Sequence, residues 1–422
     1  MEMAPFGLLL LAIAVLPLTH GRFWEKNLNK LLIALALSLP VIVVFLARGD
    51  ASLLLHSLVF DYVPFIILLG ALFTITGGIH LSGDIEATPA VNTLFLGAGA
   101  VLASLMGTTG AAMLLIRPVL HTNKERRFKV HTILFFIAIV ANCAGLLTPL
   151  GDPPLFMMYL RGAPFGWFLH LAPEWLTANG LLLLIYYFTD AHHHRKEPSK
   201  ALQSDKAHIQ PLKICGTLNF VWLLGVILAV ALVNEQTVPA LGQTVYLKFA
   251  REAVILAMAA LSWFTTRRQV RHWNHFAWHP ILEVGYLFLG IFITMVPCLL
   301  YLQSHAASLG LRLPAHFYYA GGALSSFLDN TPTAVTFHSL ALGLGIKTGA
   351  LTAGIPDALL KAIAAGSVFF GSMTYIGNGP NFMVKAVAEH AHIKMPHFFA
   401  YMLKFSLIVL LPIFILVQLL FI

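Results

Sequence analysis

The sequence predicts an all-α polytopic membrane protein built from two inverted-topology repeats. Each repeat is expected to hold five transmembrane helices plus a re-entrant helical hairpin, with broken helices at the midplane. Three observations predict this. Hydrophobic residues make up 58% of the 422 and charged residues only 10%, which lies outside soluble usage and inside the multi-span class. The apolar residues fall in runs that mostly reach the roughly 20 residues a helix needs to cross the hydrocarbon core. Two of the runs are interrupted by the same small pattern, once in each half of the chain.

The apolar runs lie near 5–19, 28–47, 59–79, 130–150 and 164–189, then near 213–233, 247–265, 279–303, 357–376 and 396–422, which predicts ten crossings. The stretches 90–120 and 315–346 are apolar but carry "SLMGTTGAA" and "SSFLDNTPTA" near their middles. Irregular backbone at membrane depth survives only when buried in protein or facing water, so these two read as helical hairpins that return on the side they entered. The broken helices are expected over 130–160 and 357–388. The first half is 1–190 and the second 213–422, joined by the one long polar interval, 191–212, read as a loop.

The formal charge of +8 does not indicate nucleic acid, because the basic residues come in short clusters between apolar runs, where they orient a membrane protein. On the side carrying 20–30, 121–131, 190–213, 265–278 and 385–395 there are seventeen Lys and Arg, against six on the other side. That asymmetry makes the linker cytoplasmic and puts both termini outside, in the plasma (inner) membrane. Five crossings per half is an odd number, so the halves are inverted. The N-terminal "MEMAPFGLLLLAIAVLPLTHG" has neither a basic start nor a small-x-small cleavage site and reads as a retained span. Cys143, Cys215 and Cys298 lack metal-ligand spacing and read as buried thiols. The histidine groups at 192–194 and 271–279 read as solvated or interfacial. No HExxH or GxSxG motif points to an enzyme.

Inversion predicts internal echoes. Thr148, Gly151, Pro154, Phe156 and Met157 match Thr374, Gly377, Pro380, Phe382 and Met383 at one constant spacing of 226 residues, and the hairpin middles pair Ser104 with Ser326 and Thr109 with Thr331 at a spacing of 222. Interrupted segments in corresponding positions of two halves are the best sequence pointer to a transporter's binding site. Gly151, Pro153 and Pro154 in one half, and Gly377, Gly379 and Pro380 in the other, are the helix-breaking residues. Where a spanning helix breaks, loosened carbonyls can hold a cation and half-helix N-termini an anion.

A charge at such a depth is costly and by default functional. Asp152 and Asp329 are therefore the candidate cation- and proton-binding carboxylates, with Asn142, Thr148, Asn330 and Asn378 beside them. The bland reading is that each aspartate merely caps the following half-helix. Ser104, Thr108, Thr109, Ser326, Thr331, Thr333, Thr374 and Asn381 are the candidate substrate and hairpin-tip residues. Lys361, in mid-segment before the second break, is the candidate charge partner of a site carboxylate, or else snorkels toward the interface.

"ANCAGLLTPLGDPP", "SSFLDNTPTA" and "GSMTYIGNGPN" resemble motifs of the ion transporter superfamily, nearest to NhaD-type sodium/proton antiporters and the CitMHS-like citrate-transport group. The resemblance spans essentially the whole chain. It implies two inverted repeats, sodium or substrate at the hairpin tips, no other cofactor, and a homodimer that works by an elevator motion. Carboxylate carriers of the superfamily typically show Ser-Asn-Thr at both tips, whereas here the tips read Gly107, Thr108, Thr109 and Asp329, Asn330, Thr331. A fixed negative charge at the second tip tilts the expectation toward a small inorganic cation, exchanged as sodium (or lithium) for protons. The alternative is a cation-coupled carrier of citrate or another small organic anion, with Thr108, Thr109, Asn330, Thr331, Asn378 and Asn381 as ligands.

Overall fold

Helices built from these apolar runs dominate the computed structural model, which describes residues 2–207, 209–235 and 237–422. Ala4–Thr19 (α1), Asn27–Arg48 (α2) and Ala51–Thr76 (α3, with a π-helical stretch inside) come first. A short strand, His80–Asp84 (β1), leads to Pro89–Met106 (α4) and Thr108–Thr122 (α5). Val130–Ile139 (α6), Pro153–Leu160 (α7) and Ala172–His194 (α8) complete the first half. After Ser199–Ala207 (α9) and Gln210–Cys215 (β2), the second half runs through Leu218–Leu232 (α10), Ala250–Thr265 (α11) and His279–His305 (α12). Pro314–Ser325 (α13), Asn330–Gly343 (α14), Asp357–Phe370 (α15), Gly379–His390 (α16) and Phe398–Phe421 (α17) follow.

Among the described residues six helical stretches are long and apolar enough to cross a bilayer: Asn27–Arg48, Ala51–Thr76, Pro89–Met106, Val130–Leu147, His279–Leu309 and Phe398–Phe421. Ala4–Pro17 and Leu218–Leu232 are apolar but shorter. The correspondence with the ten expected crossings is partial. Pro89–Met106, expected as a hairpin arm, is itself long enough to span, while Ala250–Thr265 has only 16 residues. The chain is an all-α polytopic membrane protein.

Both expected turn regions are helix–turn–helix units. Between α4 and α5 the chain reverses at Gly107, whose φ of 83° is open to glycine at no steric cost. Between α13 and α14 it reverses just before Asp329, whose carboxylate accepts the Thr331 amide at 3.0 Å and so caps α14. Both helix breaks are also present. A 3₁₀ turn at Cys143–Leu147 separates α6 from α7, and one at Gly371–Met373 separates α15 from α16. Pro153 and Pro154 open α7 and Pro380 helps open α16, positions where a missing N–H costs nothing.

The linker differs from the loop expected at 191–212. Helix α8 runs on through His194, α9 forms, and β2 pairs antiparallel with β1, His80 opposite Cys215 and Asp84 opposite Gln210. Backbone amides left free after α3 find partners there, and the Asp205 carboxylate accepts the Ala87 amide at 2.8 Å. The linker thereby fastens to the segment that leads into the first hairpin.

Packing crosses between the halves. Helix α14, the second arm of hairpin two, lies on α7 beyond the first break, and α5, the second arm of hairpin one, lies on α16 beyond the second. One continuous apolar core runs through both.

Candidate functional site

Each hairpin is clasped to the broken helix that follows it, and the two clasps use the same atoms. The Thr148 hydroxyl donates to the Ser104 carbonyl, and the Thr374 hydroxyl to the Ser326 carbonyl. Ser104 Oγ returns a bond to Ala144 O at 2.7 Å, as Ser326 Oγ does to Phe370 O at 3.2 Å. Each threonine oxygen also accepts the amide two residues on, from Leu150 and Ile376 respectively, at 3.2 Å. These hydroxyls satisfy backbone groups that the breaks release and that lipid could not.

Close backbone approach makes the clasps possible. A Cβ on Gly151 would lie 2.1 Å from Gly145 O, and one on Gly377 would lie 2.6 Å from Gly371 O, so only glycine fits either crossing. Gly379 is different, with nothing within 4 Å of its absent Cβ.

The two units meet at Asp152, which is 0% exposed. Its Oδ1 accepts Thr108 Oγ1 at 2.9 Å and Asn378 Nδ2 at 3.2 Å, and its Oδ2 accepts Asn330 Nδ2 at 2.7 Å. One donor therefore comes from each hairpin tip and one from the second break. Asn378 Nδ2 also reaches Ala141 O at 3.2 Å. Asn142, in the first break, donates to Asn381 Oδ1 at 2.6 Å, and Asn381 in turn donates to Gly371 O and Thr374 O. None of the ion pairs among the described residues includes Asp152 or Asp329.

Asp329 is half-buried and committed to capping α14, with Thr333 Oγ1 donating to its carbonyl at 3.0 Å. It stands within electrostatic reach of Asp152 without touching it. The Asn142 Oδ1 and Thr331 Oγ1 atoms are buried without a hydrogen-bond partner. Thr109 lines a cavity of about 90 Å³ with Gly107, Thr108, Gly151 and Pro153. Its far wall is apolar, formed by Leu69, Leu72 and Phe73 of α3 and by Pro280, Ile281 and Val284 of α12.

Lys361 departs from expectation. Its ammonium lies 2.8 Å from Glu174 Oε1 and has no contact with Asp152 or Asp329. The reason is helical direction: on α15 it faces α8, where Glu174 occupies the first turn, rather than the break. One site residue, Ser325, escaped the sequence reading, and so did Glu174, the partner of Lys361 outside the Asp152 centre. Ser325 Oγ donates to Asn330 Oδ1 at 2.6 Å and orients that amide toward Asp152, though "SSF" gave no reason to prefer it over Ser326. Glu174 had a signal, being an acid inside the apolar run 164–189.

Many apolar spans around a central crossing of broken helices, with one buried charge where they meet, define a multi-pass membrane carrier of small molecules. The family described as "Putative citrate transport" matches residues 1–422, and the chain belongs to it. No curated protein matches the chain.

Proposed function

We propose that the chain is a cation-coupled carrier of citrate or a similar small carboxylate anion. It works by alternating access of two inverted repeats, 1–190 and 213–422, around Asp152, as a homodimer in the plasma membrane with both termini outside. The observation that carries this is the Asp152 carboxylate itself, fully buried and held by hydroxyl and amide donors from both hairpin tips and the second break. Neutral donors of that kind suit a carboxylate, and Thr108, Asn330 and Asn378 now hold an internal one. A buried charge without a basic partner is expensive. Admitting a polycarboxylate beside it requires positive charge to enter as well, which makes the transport cation-coupled. The unpaired Asn142 oxygen and the Asp152 carboxylate are hard donors that fit sodium as the coupling ion.

The family match favours the anion over the sodium/proton exchange that Asp329 suggested. Asp329 sits at the N-terminus of α14, where the helix dipole offsets part of its charge, so it repels an anion less than the bare sequence implies. Sodium/proton antiport is the second reading, favoured by the nearness of the two carboxylates.

Proteoliposomes with an internal pH dye test the choice. Labelled citrate is expected to accumulate only with an inward cation gradient, and a sodium pulse alone to leave the lumenal pH unchanged. A pH response to sodium without any organic anion would overturn the proposal in favour of antiport.

A further inference from the structure

Glu174 and Lys361 form an ion pair between the first turns of α8 and α15, apart from the Asp152 centre. The Glu174 side chain is 0% exposed and that of Lys361 26% exposed. Apart from the ammonium at 2.8 Å, neither carboxylate oxygen of Glu174 has a hydrogen-bond partner. A buried pair that lacks supporting hydrogen bonds adds little stability over an apolar pair of the same size, and its best-attested use is as a switch.

The pair also joins the two halves beside their helix breaks. Glu174 lies on α8, whose next residues clasp the first break: Trp175 Nε1 donates to Ala144 O at 2.9 Å and Asn179 Nδ2 to Cys143 O at 3.4 Å. Lys361 lies on α15, which leads directly into the second break and its Thr374 and Asn378.

We propose that Glu174 and Lys361 are the proton-coupling site of this carrier, with Glu174 taking and releasing the proton and Lys361 as its fixed counter-charge. A proton from water bonds to a Glu174 oxygen and ends the ion contact. The pair passes from net zero to a charge of plus one, carried by the Lys361 ammonium, whose side chain is already 26% exposed. The tether between the first break's clasp and the second broken helix loosens as a result.

Other ionisable groups on the elements packed around the pair are committed elsewhere. Asp357 accepts Trp167 Nε1 and Thr352 Oγ1, and Cys143 contacts Ser372. His131 bonds Asp190, while Tyr159, Tyr318 and His338 each bond a backbone carbonyl.

The proposal rests on the chain being a carrier, and on citrate only for the first measurement. In proteoliposomes, citrate uptake is followed together with lumenal pH, and citrate counterflow separately. Glu174→Gln is expected to lose the proton signal that accompanies uptake and to keep counterflow. Infrared difference spectra between acid and neutral pH need no substrate. The protonated-carboxyl band of the wild type should diminish in Glu174→Gln, and Lys361→Met should carry that band already at neutral pH. An unchanged proton signal in Glu174→Gln, loss of counterflow together with it, or an unchanged infrared band would each overturn the proposal. If the wild type moves no citrate, the substrate reading fails and the infrared comparison still decides the pair.

Discussion

The hairpin that turns at Gly107 and the one that turns before Asp329 grip their broken helices through the same bonds, yet they deliver different chemistry to the centre. Thr148 and Thr374 reach equivalent carbonyls, and Ser104 and Ser326 answer them. At the next position the likeness ends. Asp152 stands where the second unit has Asn378, and Thr108 where it has Asn330, and the other three side chains all donate to Asp152. A repeated backbone thus supplies donors from both units, while only the first break carries the carboxylate that accepts them. The bases differ too. At the first hairpin Arg126 bonds Asp190 at 2.7 Å, with His131 and Asn92 on the same carboxylate. At the second, His338 meets only the Ala353 carbonyl across a two-residue strand pair.

The largest effect should come from moving the charge. Asp152→Asn removes it and the charge assistance of three bonds, each worth about 1.5–3 kcal/mol when charged, so coupled uptake should fall by at least about 100-fold. Adding Asn378→Asp to that variant returns a carboxylate to the equivalent place in the other unit. If the two positions are interchangeable about the centre, uptake should recover by about tenfold or more, a gain of about 1.4 kcal/mol. A double variant no better than Asp152→Asn would show that the likeness stops at the backbone clasps.

The glycines give the next effect. Gly151→Ala and Gly377→Ala both force a Cβ into a carbonyl, at 2.1 and 2.6 Å, and should destabilise by about 1–3 kcal/mol. Gly379→Ala meets nothing and should stay within about 0.5 kcal/mol of the parent. Thermal unfolding in detergent measures all three. A Gly377 variant as stable as Gly379→Ala would mean that the second clasp is looser than the first.

Much of this was legible in the sequence, for identifiable reasons. Single prolines are carried inside unbroken helices, as Pro40 in α2 and Pro297 in α12. Glycine and proline clustered within a few residues are not, so 148–154 and 374–380 announced the breaks, and the hydroxyls at 104, 148, 326 and 374 announced partners for the released backbone. What stayed hidden depended on which faces pack together. Lys361 had an acid one turn away at Asp357, and only the approach of α8 to α15 shows that Glu174 takes it. Strand β2 carries no alternating pattern in "QPLKIC" and exists because β1 offers an edge. The number of crossings was the least secure reading, because a hydropathy run does not say where a helix stops. Asp329 was legible only in part. Its charge was visible in the sequence, but the helix N-terminus that offsets part of it was not.

The smallest effect tests the base of hairpin one. His193 lies beyond the apolar run that ends near residue 189, and its ring stands 4.5 Å from that of His131. Burial, and then the charges of His131 and His192, hold its pKa below the usual histidine value. Folded protein therefore favours the neutral ring more than unfolded chain does. The resulting stability is fully present above a pH of about 6.5, the unfolded value, and is lost as pH falls through the depressed folded one. The ring is only partly buried, so screening keeps the effect small, a fall in Tm on the order of 1 °C between neutral and mildly acidic buffer. His193→Gln should remove that increment without touching citrate counterflow. Since the base of hairpin two has no such cluster, an acid-dependent Tm that survives in His193→Gln would place the sensitivity elsewhere and weaken the contrast between the two bases.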